Sequence, residues 1–259
     1  MKKNLFYFII CIFNMNVCFS ATLFQVGNAS ALFSGAIEGD MTISQLQQHG
    51  NFGLGTFNGI KGELIALDGH FYQIGPHGMT TPVNLQWKTP YAEMITFIPI
   101  SSIQLESIEN YKLLKNIIYS KLDNKNVPYA VQIRGTFSYL KLRSRSPRPA
   151  LQTKNILEET YTFNNISGTL VGYWFPEYLL NLTVPGFHLH FISDDKKRSG
   201  HVLDLKVIKA DLALRKIDKI ELQFPETEIY KKAKILAPTL DTYIKAQMYN
   251  TNYTLSKSN

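Results

Sequence analysis

Three of the six histidines lie close together, in the run Gly186-Phe187-His188-Leu189-His190-Phe191-Ile192-Ser193-Asp194-Asp195-Lys196-Lys197-Arg198-Ser199-Gly200-His201-Val202. The pattern is that of a β-hairpin: an alternating apolar segment, a polar turn from Ser193 to Gly200, and an apolar run resuming at His201. Side chains two apart on a strand share a face, so His188 and His190 point the same way. A loop at Asp194–Lys197 pairs Ser193 with Arg198 and therefore His190 with His201. Residues directly opposite in a hairpin also share a face. The three imidazoles then converge, while Leu189, Phe191 and Val202 take the other face. Three neutral imidazoles with a coordination position left open form the usual protein half of a catalytic zinc or similar divalent site. The competing reading is three packed or solvated strand histidines. Register decides between the two, because a one-residue slip sends His201 to the opposite face.

Two further places could contribute charge to such a site. Asp68-Gly69 suits a type I′ turn between apolar runs, which pairs Leu67 with His70, Ile65 with Tyr72 and Glu63 with Ile74. Glu63 then shares a face with Ile65, Leu67, Tyr72 and Ile74, so it is either at a wet sheet edge or buried for a reason. Burial disfavours the charged form of an acid, which suits a proton-transferring carboxylate. Val127 to Leu142 is the longest strand pattern, rich in β-branched and aromatic residues. It runs into Arg143-Ser144-Arg145-Ser146-Pro147-Arg148-Pro149, where the prolines are expected to end regular pairing. Arginines at such an exit are either solvated or placed to bind a carboxylate bidentately.

The elements that must position these residues are mostly strands. Thr42-Ile43-Ser44-Gln45 reads as a capping box opening a short helix that stops at Gly50. Asn51 to Gly59 superficially resembles a phosphate loop, but it lacks the correctly spaced third glycine, the following helix and the lysine, so turns between short strands are expected. Ser107 to Leu122 reads as a second helix, strands recur from Ser167 to Leu222, and a helical tail begins near Thr239. The expected fold class is α+β, predominantly β, with two β-sheet lobes, few helices and the metal site on a β-hairpin. The lobes are placed at about 21–145 and 146–259.

Met1-Lys2-Lys3-Asn4, the apolar run Leu5 to Phe13, and small or polar residues up to Ser20-Ala21 make a secretory leader with a cut after Ser20. Its apolar core is too short to span a bilayer. Both cysteines, Cys11 and Cys18, lie in this leader, so the exported part has neither disulfide nor thiolate chemistry. Localisation is therefore expected to be periplasmic or secreted, with no membrane association after leader removal. The formal net charge is +7, with basic clusters at Lys196-Lys197-Arg198, Arg143 to Arg148 and Lys231 to Lys234. These read as solvated faces, and export argues against a nucleic-acid partner.

The motifs Leu23-Phe24-Gln25-Val26, Gly39-Asp40-Met41-Thr42, Gly53-Leu54-Gly55-Thr56-Phe57-Asn58, Gly62-Glu63-Leu64, Gly135-Thr136-Phe137-Ser138-Tyr139, Ser167-Gly168-Thr169-Leu170-Val171-Gly172 and Val184-Pro185-Gly186-Phe187-His188 onward together resemble α-acetolactate decarboxylase. The resemblance runs in order from about Leu23 to Leu222. It implies a Zn2+-dependent carboxy-lyase that converts α-acetolactate, a small 2-hydroxy-3-oxo acid, to acetoin and carbon dioxide through a metal-stabilised enediolate. It also implies a homodimer. The family's metal ligands map onto His188, His190 and His201, its glutamate onto Glu63, and its arginine onto Arg143, with Arg145 next if the register slips. The family also places a glutamate in the site from near the C-terminus. Here ungapped counting puts Gln247 near that position, and no Asp or Glu follows Asp241. One proton-transfer or metal-contact role is then missing or passes to water.

Two rival readings stand beside this one. A cupin-like oxygenase or isomerase also uses His-X-His on a strand, with an acid a few residues on, but Asp194 and Asp195 sit in the expected turn and would point away. An exported binding protein with structural zinc would need a fourth protein ligand. The remaining histidines, His49, His70 and His77, read as turn or surface residues.

Overall fold

The computed structural model describes residues 20–99, 101–147, 156–241 and 243. Residues 1–19, which hold both cysteines and most of the expected leader, position Gln247 and most of the C-terminal tail lie outside the described residues. The first half of the chain contributes β1 (Thr22–Val26), α1 (Ala29–Phe33), β2 (Met41–Thr42), α2 (Ile43–Leu46), β3 (Phe52–Thr56), β4 (Glu63–Leu67), β5 (His70–Ile74), β6 (Thr80–Pro82), β7 (Lys88–Thr89) and β8 (Ala92–Ile95). The second half contributes β9 (Ile103–Ile108), α3 (Tyr111–Lys121), β10 (Tyr129–Pro147), β11 (Ile156–Phe175), β12 (Gly186–Ser193), β13 (Ser199–Lys216), β14 (Lys219–Gln223) and α4 (Glu228–Lys232). No described helix is long and apolar enough to cross a membrane.

Two main sheets carry the fold. One has strand order β14-β1-β8-β3-β4-β5-β6, and the other β10-β11-β12-β13-β9 with β10 also paired to β13. The ladder of the second sheet thus returns on itself through β10, β11, β12 and β13. Register shifts between β10 and β13 near Phe137 and Leu142 mark irregularities of the kind that help long strands curl. This makes the protein predominantly β with few helices, as the alternating patterns imply.

The facing surfaces of the sheets share one core. Leu23, Phe52, Leu54, Ile65, Leu67 and Ile95 from the first meet Ala130, Val171, Tyr173, Phe175, Ile192 and Ala213 from the second. The Tyr173 hydroxyl lies within hydrogen-bond reach of the Phe52 and Glu93 carbonyl oxygens, at 3.3 and 3.1 Å. On its far side the second sheet buries Leu114 and Ile118 of α3, each worth about 1.5–3 kcal/mol against exposure. The first sheet is covered by Ile43 and Leu46 of α2.

Local signals act as their chemistry dictates. The Thr42 side chain accepts from Gln45 N while the Gln45 side chain accepts from Thr42 N, which completes the capping box. Asp68 and Gly69 both take positive φ, 52° and 78°, as a type I′ turn requires, and the pairing Glu63–Ile74 follows. Residues 52–56 are a strand, not a phosphate loop.

Three expectations are corrected. The division at 145/146 falls inside one hairpin, because β10 and β11 pair continuously from Leu140–Phe163 to Pro147–Ile156. The chain instead changes sheets between β8 and β9, and returns to the first sheet with β14. The helix expected from Ser107 starts later: Ile103–Ile108 is a strand on β13, and Asn110 caps α3 by accepting from Leu113 N. The long strand does not end at Leu142 but carries Arg143 and Arg145 as interior ladder positions. Pro147 is its last residue, where a missing N–H is tolerated. Near the C-terminus, α4 precedes the expected tail, in which Leu240, Asp241 and Tyr243 are helical.

Candidate metal centre

The hairpin β12–β13 has the register expected of it. His190 pairs with His201, Phe191 with Gly200 and Ile192 with Ser199, and Ser193 N donates to Arg198 O at 2.8 Å. Lys196 takes φ 59° in the turn. Leu189, Phe191 and Val202 face the α3 side, which leaves the histidines on the side of the inter-sheet core. Gly200 keeps its neighbourhood close-packed: a Cβ there would lie 2.5 Å from the Tyr161 hydroxyl. The first sheet grips the hairpin from outside, with Thr80 N bonded to Lys197 O at 3.2 Å and Thr80 Oγ1 to Ser199 Oγ at 2.8 Å.

The three imidazoles meet. Ring centroids are 5.0 Å apart for His188–His190, 5.1 Å for His188–His201 and 5.3 Å for His190–His201. One nitrogen from each lies within 4.8 Å of the others. His190 and His201 are buried, at 1 % and 3 % exposure, and His188 keeps part of its surface open. Burial is the first cause that lowers the pKa of each ring. His190 is pushed down to about 3, with the Arg143 charge as the next cause. His188 and His201 fall well below the ordinary histidine value, the charges of neighbouring histidines and of Arg143 adding to burial. Neutral rings offer lone pairs, as metal ligation requires.

Unspent polar atoms point the same way. His188 Nδ1, His201 Nδ1 and Glu63 Oε2 are buried without a hydrogen-bond partner. Buried polar atoms are ordinarily satisfied, so a cluster of neutral nitrogen donors fits a divalent cation. Three clustered imidazole nitrogens suit a divalent first-row metal.

The remaining charges arrive from distant parts of the chain. Glu63 opens β4 and is buried, not at a wet edge, with 9 % exposure. Its Oε1 lies 3.2 Å from Arg143 Nη1 and 3.9 Å from His190 Nε2. Arg143 is paired in the ladder with Thr160 on one side and His201 on the other. Its pKa is lowered to about 10, chiefly by burial and then by Arg145, against the pull of Glu63.

Arg145, the alternative arginine, shares this face, but its Nε contacts Glu158 Oε2 of β11 at 2.8 Å. The structure thus unites His188, His190, His201, Glu63 and Arg143, with Arg145 one step away. Glu158 and Tyr161 went unnoticed in the sequence. Glu158 is brought to Arg145 only by the β10–β11 register. The Tyr161 hydroxyl donates to Ser199 O at 2.8 Å, and its pKa is raised by burial first and by the Glu63 charge next. Nothing in their local spacing signals either role. Asp194 is exposed, and Asp195 is engaged in the turn by Ser193 Oγ and Lys197 N. His70 and His77 are exposed, whereas His49 stacks on Phe24 at 3.4 Å.

A second buried acid lies apart from the histidines. Glu93 of β8 is fully buried and accepts from the Tyr91 hydroxyl. Burial raises its pKa to about 7, against the Tyr91 hydrogen bond.

Known proteins with this sequence pattern have this fold. Residues 23–237 match the family model described as alpha-acetolactate decarboxylase. An alpha-acetolactate decarboxylase of Methanosarcina mazei is 39 % identical over 220 residues, covering 83 % of this chain and 76 % of the relative. One of Brevibacillus brevis is 36 % identical over 229 residues, covering 87 % and 80 %. The crystal structure of alpha-acetolactate decarboxylase from Bacillus subtilis strain 168 superposes with a TM-score of 0.80 at 28 % identity, covering 88 % of this chain and all of that one. The chain belongs to the alpha-acetolactate decarboxylase family.

Proposed function

We propose that this protein decarboxylates α-acetolactate to acetoin and carbon dioxide, with zinc held by His188, His190 and His201. The observation that carries the reading is the meeting of three neutral imidazoles with Arg143 and Glu63, in a chain of this family. When bound, the metal supplies Lewis-acid stabilisation of negative charge developing on the substrate's oxygens. Arg143 holds the substrate carboxylate through its planar donor fork and orients the breaking bond across the plane of the neighbouring carbonyl. Loss of carbon dioxide leaves an enediolate, and Glu63 carries the proton to one face of it, which sets the configuration of the product. Buried walls around the histidines keep bulk water from competing for that proton.

The same proposal includes export, carried by the Met1–Ser20 leader pattern, and a homodimer, as the family resemblance implies. A cupin-like oxygenase is disfavoured because Asp194 is exposed and the Asp195 carboxylate is engaged in the turn by Ser193 Oγ and Lys197 N. The test is to incubate the purified protein anaerobically with racemic α-acetolactate, with and without a chelator, and to measure acetoin. Chelator-sensitive acetoin release is the expected result, and its absence from metal-replete protein would overturn the proposal.

A further inference from the structure

The leader pattern ends at Ser20, one peptide bond before Ala21, whose backbone the fold bonds on both sides. Ser20 is exposed, whereas Ala21 is buried at 4 % exposure. The Ala21 carbonyl accepts from Asp218 N at 2.9 Å and Lys219 N at 3.3 Å. Its nitrogen donates to Asp218 Oδ2 at 2.9 Å. From Thr22 onward the chain is β1, bonded to β14 on one side and β8 on the other. Small residues at Cys18 and Ser20 supply the cleavage pattern immediately before this point. The residue that would come first after cleavage is therefore held by both its nitrogen and its carbonyl, and its nitrogen already faces a carboxylate.

We infer that the chain is processed at the Ser20–Ala21 bond and that the new α-ammonium group of Ala21 forms an ion pair with Asp218. The inference rests on the export reading above. Chemically, an endopeptidase of the export route adds water across the amide. The hydroxyl goes to the Ser20 carbonyl carbon, the C–N bond breaks, one proton goes to the Ala21 nitrogen, and ionisation of the new Ser20 carboxyl group supplies the second proton that makes the ammonium. An amide N–H can make one neutral hydrogen bond here, while an ammonium group brings a charge and three donors. Charge-assisted hydrogen bonds are roughly twice as strong as neutral ones.

Processing thus converts an ordinary backbone contact into an electrostatic clamp on the start of β1. The surroundings set its strength. Asp218 Oδ1 lies 3.8 Å from Lys216 Nζ, and the Asp218 side chain is 37 % exposed, so solvent moderates the pair. Arg215, Glu221 and His49 line the adjoining cleft with Ser20 and Ala21. Lys219 pairs with Glu221 at 3.6 Å. Asp123 and Tyr129 border Asp218 from the other side. The nearby lysines and arginine disfavour a further cation, leaving Asp218 as the group that holds it.

The test uses the complete 259-residue chain, produced in a secreting bacterial host and recovered outside the cytoplasm. Intact mass and N-terminal sequencing should give a chain beginning at Ala21. A chain cleaved elsewhere overturns the inference and leaves export standing. A chain that keeps its leader in the cytoplasm overturns both. In the exported protein, the pH dependence of reductive methylation at the N-terminus should place the α-amino pKa above the ordinary ~8. Asp218→Asn should bring it down. The same pKa in the wild type and the Asp218→Asn variant would overturn the ion pair even with the cleavage site as expected.

Discussion

Arg143 stands directly across the antiparallel ladder from His201, whose other edge faces His190. One backbone row therefore places the Arg143 cation beside two of the three clustered rings. The cation helps keep those rings unprotonated, and Glu63 Oε1 holds its guanidinium at 3.2 Å.

Metal loading depends on all three rings. Altering groups that merely orient a ligand typically costs 10–100-fold in metal affinity, so His190→Ala or His201→Ala should cost at least ~100-fold. Acetoin formation should fall with it. Zinc content after dialysis at defined free zinc measures this, and a variant that keeps stoichiometric zinc would contradict the ligand assignment.

Glu63 can be separated from metal binding. Glu63→Gln preserves shape and should retain zinc, while turnover falls by about 10²–10⁴-fold, the usual worth of a positioned proton-transfer group. Product chirality should erode in parallel. Full turnover with normal zinc would remove the proton-delivery role from Glu63.

Breaking the buried ion pair should show in stability as well as in kinetics. Arg143→Met leaves Glu63 buried without its 3.2 Å partner, a loss of about 3–5 kcal/mol for pairs of this kind. Denaturant unfolding of the metal-free protein measures it. Arg143→Lys keeps the charge but not the planar fork, so it should raise KM more than it lowers stability.

Glu93 gives a pH signature away from the metal. Its folded pKa, about 7, lies above the ordinary glutamate value of 4.5, so across that window the folded state holds a proton that the unfolded chain has released. By linkage, stability falls as pH rises from about 4.5 towards 7 and levels off above it. Glu93→Gln removes this dependence, and relative to that variant the wild type should lose on the order of a few kcal/mol over the window. Parallel unfolding curves of the two proteins at pH 5 and pH 8 provide the comparison, and an unchanged gap would contradict a protonated buried Glu93.

The histidine hairpin was legible in the sequence because its determinants are local. Two-residue alternation sets the face, and a short polar turn sets the register, so His188, His190 and His201 could be brought together without knowing what surrounds them. The Asp68-Gly69 turn placed Glu63 on an apolar face for the same reason, yet it left open whether that face was wet. Neither local spacing nor composition could show that β10 continues through Arg143 to Pro147, that the sheets divide before β9, or that Glu158 engages Arg145.

Those outcomes depend on ladders between segments tens of residues apart. There a single bulge changes which side chains meet, and burial is decided by the sheet that arrives opposite. The sequence by itself determined a three-histidine cluster and the apolar faces that must be covered. Only the tertiary structure decided that Glu63 and Arg143 meet in the dry space between two sheets, because long-range strand pairing and the packing of one sheet on the other put them there.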